Sequence, residues 1–127
     1  MLAQHLTDSW LSAWLSAFLL TQLIEVPVYL HQRGGDLWRR AGALKALSLA
    51  LAPTCATHPL IWWPLHAYAH ARGWSYLTYA LTAEGAVVVA EGWLLWALGA
   101  RRPLRVALLA NALSAFAGLA LRALGLR

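Results

Sequence analysis

Three glutamates, Glu25, Glu84 and Glu91, lie inside long apolar runs with no lysine or arginine close by in the chain. A charge at mid-membrane costs about 3 kcal/mol on the gentler insertion scales. Acids kept there turn inward and by default mark an ion or proton path. Glu84 and Glu91 each sit in the tripeptide Ala-Glu-Gly. On a helix their spacing is close to two turns, so both leave the same face, roughly 10 Å apart along the axis. Gly85 and Gly92 are expected to let a neighbouring helix approach those carboxylates.

Gln22, Glu25 and Tyr29 recur at helical spacing and form one polar face. Pro27 removes the hydrogen bond to the Leu23 carbonyl, and that free oxygen is expected beside Glu25, where a cation or water would suit it. The plainer alternative is a bend at Pro27, with Glu25 paired to an arginine at the interface. Further on, Ser48, Thr54, Thr57 and His58 are interleaved with Pro53, Pro59 and Pro64. Broken backbone at membrane depth is tolerated only against protein or a wet cavity. His58 reads as a metal ligand or proton carrier, or as a structural partner of Glu84. His66 and His70, after Pro64, are expected in an outer loop. In the last apolar run Ala110, Ser114 and Gly118 make a small-residue stripe for close helix packing. Asn111 and Ser114 are expected to face the same neighbour.

Glu84 and Glu91 are too far apart to grip one ion, because metal–ligand bonds run about 2.0–2.6 Å. Across helices, Glu25, Glu91 and Asn111 would offer an all-oxygen site for a hard cation. Glu84 with His58 would suit zinc, manganese or iron. A divalent metal is therefore the expected cofactor if there is one, with Gln22, Tyr29, Thr54, Thr57 and Ser114 along a proton or ion path. The single cysteine, Cys55, excludes an internal disulfide and a Cys-pair metal site.

The elements that must position these groups follow from composition. The chain has 127 residues, 61% hydrophobic and 12% charged, whereas soluble domains run near a quarter charged. The apolar residues fall in four blocks, about 10–30, 41–63, 76–99 and 103–124. The expected fold is all-α: one domain, an integral membrane bundle of four transmembrane helices. The alternation of a membrane barrel is absent. The first block is too long for a signal peptide and reads as an uncleaved span. Each half is an acidic span, a basic loop and a span with small polar residues, a hint of two pseudo-repeated helical hairpins with Glu25 matching Glu91 and Lys45 matching Arg105.

The net charge of +5 does not indicate nucleic acid, because the arginines sit between blocks, where they meet lipid headgroups. Arg33, Arg39, Arg40, Lys45, Arg101, Arg102 and Arg105 fall on one side and only Arg72, Arg122 and Arg127 on the other. That bias places both termini outside and the basic loops in the cytoplasm. Nine arginines against one lysine suggest a GC-rich bacterial genome, hence a bacterial inner membrane. At 1.5 Å per residue, Glu25, Glu91 and Asn111 share a layer about 4–7 Å to the cytoplasmic side of the midplane, and Glu84 and His58 one about 5–8 Å to the other side.

The leading expectation is a small protein that binds or moves a proton or metal cation. The alternatives are an intramembrane enzyme acting on a lipid or membrane peptide, and a non-catalytic subunit whose acids pair with a membrane-protein partner. Four short spans make a thin bundle, so a homodimer or higher homo-oligomer is expected to shield the acids from lipid.

Overall fold

The computed structural model describes residues 2–31, 40 and 42–125, with side chains from Trp10 onward in the first helix. Among the described residues all regular structure is helical. Helix α1 spans Leu2–His31, α2 Ala43–Leu60, α3 His66–Ala71, α4 Tyr76–Ala97 and α5 Pro103–Ala123, and a π turn, Ile61–Leu65, joins α2 to α3. Three stretches are long and apolar enough to cross a bilayer: Trp10–His31, Tyr76–Ala97 and Pro103–Ala123. The 18 residues of α2 carry Lys45, His58 and two prolines and are not in that set.

Local chemistry explains the ends. The Ser75 hydroxyl caps α4 by accepting from the Thr78 amide at 3.1 Å. Pro103 opens α5 at the position where its missing N–H leaves nothing unsatisfied. The turn between α4 and α5 passes through Gly99 at φ 79° and Arg102 at φ 51°, both left-handed. The expected outer loop after Pro64 is not there, since His66 and His70 lie on α3. Pro64 cannot donate to the Leu60 carbonyl. The chain widens by one residue instead, and the His66 amide reaches back to the Ile61 carbonyl. The Tyr79 hydroxyl on α4 donates to the same carbonyl at 3.1 Å.

Helix α4 packs on α5, α5 on α1, α1 on α2, and α2 on α4, which closes a ring of four. Inside it the two halves differ. Towards the end of the bundle holding His31, Ala43 and Pro103, the centre is filled by Val26, Tyr29, Ala50, Leu95, Val106, Ala107 and Ala110. Small residues allow that closeness: a Cβ on Gly92 would stand 3.3 Å from the Leu104 Cα. Gly85, in the other Ala-Glu-Gly, has nothing within 4 Å of such a Cβ. The expectation of close approach thus holds for Gly92 and fails for Gly85. Outside the ring, Leu11, Leu15, Leu19 and Leu23 form an exposed leucine stripe along α1.

Candidate functional site

The polar centre lies where the packed half ends. Glu25 and Glu91 are both 0% exposed, from α1 and α4 respectively. Glu91 Oε2 accepts from the Tyr29 hydroxyl at 2.5 Å and from Asn111 Nδ2 at 2.8 Å. Glu91 Oε1 meets the Thr57 hydroxyl at 2.7 Å. One carboxylate is therefore held by side chains of α1, α2 and α5. Glu25 Oε2 accepts from the Thr54 hydroxyl at 2.5 Å, and its Oε1 meets the Ser114 hydroxyl at 2.8 Å. The face of α1 that carries Gln22, Glu25 and Tyr29 is buried, as its spacing requires. Among the described residues Gln22 reaches only Cys55 Sγ, at 3.4 Å.

Two of these hydroxyls have a choice. The Thr57 oxygen is also 3.1 Å from the Pro53 carbonyl, and the Ser114 oxygen 3.1 Å from the Asn111 carbonyl. A hydroxyl carries one hydrogen and can accept as well. Thr57 can donate to an ionised Glu91, or turn to its own helix and accept from a protonated one. Ser114 has the same two settings towards Glu25. Both protonation states of each acid are thus satisfied without moving a heavy atom.

Glu25 lies within electrostatic reach of both Glu91 and Glu84, and among the described residues no arginine or lysine offsets these acids. The alternative of Glu25 paired with an interfacial arginine finds no support among those residues. The carbonyl freed by Pro27 is also not beside Glu25. Leu23 and Pro27 are both exposed, and two residues along a helix is a rotation of about 200°. That carbonyl faces away from the polar centre.

The other half of the ring holds a cavity of about 830 Å³, open at one side and lined from all four long helices. Glu25, Glu91, Asn111 and Ser114 form its floor; Tyr76 and Arg122, at the far ends of α4 and α5, lie at its mouth. Glu84 lines it too, and is exposed rather than enclosed. The two glutamates of α4 share a face as expected, but only Glu91 is sealed. His58 lines the cavity with its ring among Trp14, Phe18 and Trp62, at centroid distances of 5.9, 5.3 and 5.9 Å.

The expected layer of Glu25, Glu91 and Asn111 comes together, with one difference. Asn111 turns its amide N–H₂ to Glu91, so it acts as a donor rather than a third oxygen ligand. No group of three or more His, Cys, Asp or Glu side chains that could hold a metal occurs among the described residues. Asn111 and Ser114 also do not serve one neighbour: Asn111 bonds α4 and Ser114 bonds α1. The need for a second copy to shield the acids loses its premise for Glu25 and Glu91, which one chain encloses. The positions of Tyr29, Thr54, Thr57 and Ser114 were readable as polar residues in apolar runs; which acid each one serves was not. Compared with known proteins, the chain matches no family model, no curated protein and no solved structure.

Proposed function

We propose that the chain is a four-span membrane protein that binds and passes a proton at Glu25 and Glu91, with transport as its activity. The observation that carries this reading is the pair of fully enclosed carboxylates, bonded among the described residues only by neutral donors and lying at the floor of a cavity. Two neighbouring negative charges out of water repel strongly and lack compensation. At least one proton, or a cation in its place, must accompany them. The two-way hydroxyls of Thr57 and Ser114 suit a proton that comes and goes. A metal finds few further ligands here, since no group of three or more His, Cys, Asp or Glu side chains that could hold one occurs among the described residues and Asn111 offers its amide N–H₂, so the proton is preferred.

Transport adds the asymmetry between the halves. The acids are approached from the cavity and cut off from the other end by the packed residues around Leu95 and Ala107. A carrier needs such a closed barrier on one side of its site. In this reading α2 is the fourth span, its prolines tolerated because Pro53 is buried and the π turn abuts α4. The arginine bias sets the cavity mouth outside and the packed end towards the cytoplasm of a bacterial inner membrane. The subunit reading is weaker, because hydroxyl and amide donors of this chain already bond Glu25 and Glu91, and a partner's charge would reach them only through the cavity.

The test is proton flux into proteoliposomes, followed with a trapped pH-sensitive dye. Glutamine should fold at either position. At 91 its oxygen accepts from Tyr29 and Asn111, and its amide donates to Thr57, which turns to the Pro53 carbonyl. We expect E91Q and E25Q to keep wild-type helicity and lose the flux. Wild-type flux in folded E91Q would remove the proposal.

A further inference from the structure

The cavity is far larger than a proton requires. Its volume of about 830 Å³ falls within the roughly 300–1,000 Å³ of small-molecule pockets. The chemistry of its wall is specific. Glu84 supplies a carboxylate in the cavity, about two turns above the sealed Glu91. Trp62, Tyr76 and Tyr79 supply aromatic rings, and Leu77 and Leu81 supply exposed aliphatic surface. Arg122 is the only arginine or lysine among its described lining residues. Its guanidinium carbon stands 5.1 Å from the Tyr76 ring centroid, at the mouth. A cation resting on an aromatic face there is the interaction that such a wall offers. Below Arg122 the fixed charges among the described lining residues are acidic only.

We propose that this cavity binds an organic cation with apolar substituents, with Glu84 as its counter-ion, while the sealed pair Glu25 and Glu91 keeps the proton. This rests on the proton reading above and names the cargo. An inorganic cation does not fit the same wall, because one carboxylate in so wide a space leaves most of its coordination to water. An organic anion meets Glu84 and the acidic floor. An amine, quaternary ammonium or phosphonium with aromatic or branched substituents meets Glu84 with its charge and the rings and leucines with its body. Separating the two acids by depth also lets cargo and proton be present together.

The test uses the full chain in dodecyl maltoside micelles, with radiolabelled tetraphenylphosphonium as the probe and tetraphenylborate as its anionic isostere, read by equilibrium dialysis. We expect saturable binding of the phosphonium, weakened about tenfold or more by E84Q, and none of the borate. Ala80→Trp, which fills the cavity from α4, should abolish binding. Phosphonium affinity in E84Q within about twofold of wild type, or equal saturable uptake of the borate, overturns the proposal. If E84Q fails to fold, Ala80→Trp decides alone, and retained binding in it overturns the proposal. Proton flux that depends on Glu91 in a protein that does not bind the phosphonium overturns the cargo and leaves the proton reading standing.

Discussion

At the scale of the residue, the chemistry turns on hydrogens that are one too few. Thr57 faces two acceptors, the Glu91 carboxylate and the Pro53 carbonyl, with one hydrogen between them. Ser114 faces Glu25 and the Asn111 carbonyl in the same way. A hydroxyl in that position reports the charge of its neighbour. Replacing Thr57 by valine keeps the shape and leaves Glu91 Oε1 without a donor. An unsatisfied buried polar group costs about 1–3 kcal/mol. We expect Thr57→Val to lower stability by that amount in a reversible SDS unfolding titration. Placed on top of E91Q, whose amide requires only an acceptor at that spot, the valine should again leave one polar group unbonded. The double variant should therefore show no rescue; recovery of E91Q-level stability would count against this assignment of hydrogens. Asn111 is bound differently. Its two amide hydrogens have two acceptors, Glu91 Oε2 and the Ala107 carbonyl, so it has no alternative setting and acts as a fixed anchor.

At the scale of the element, identical tripeptides meet different surroundings. Gly92 faces the first turn of α5, where an added methyl would lie 3.0 Å from Leu104 Cδ1 and 3.3 Å from its Cα. The side chain can move but the backbone cannot without opening the hairpin. Overpacking of this kind costs about 1–3 kcal/mol, and Gly92→Ala should show that loss in the same titration. Gly85 has open space around it. Gly85→Ala should be neutral or stabilising by about 0.5–1 kcal/mol, because alanine gives up less backbone freedom on folding. Equal effects at the two positions would mean that α4 and α5 do not cross as described. Between α2 and α3 the disruption is real but brief. Pro64 costs the helix one amide donor, and a single π turn absorbs the loss. That keeps His66 within the wall of the cavity rather than out in solvent.

At the scale of the whole molecule, three stretches are apolar enough to cross a bilayer, and the ring requires α2 beside them. Cys55 tests that placement. It is a free, exposed thiol in the C-terminal half of α2. If α2 spans, its exposed faces meet acyl chains, and Cys55 in membrane vesicles should resist a membrane-impermeant maleimide yet react after SDS solubilisation. Rapid labelling in intact vesicles would put α2 outside the hydrocarbon and leave three spans. The enclosure of Glu25 and Glu91 within a single chain also shifts the question of assembly. A second copy is not needed to hide them, so a dimer, if formed, would have to bury other surface, such as the leucine stripe of α1.

Several levels were legible from the residues alone. Apolar blocks of bilayer length dictated helices, because backbone polar groups without water must bond within their own segment. Helical spacing put Gln22, Glu25 and Tyr29 on one face, and arithmetic on depth brought Glu25, Glu91 and Asn111 to one layer. Those inferences need only a repeat of 3.6 residues and a slab of known thickness. What the tertiary structure alone decided is which neighbour each face meets. Ring order sent Asn111 to Glu91 and Ser114 to Glu25, and sealed Glu91 while leaving Glu84 in a cavity. Contacts between helices depend on azimuth and crossing, and small side chains such as Gly92 and Ala107 set how closely the axes approach; periodicity along one helix holds no record of either.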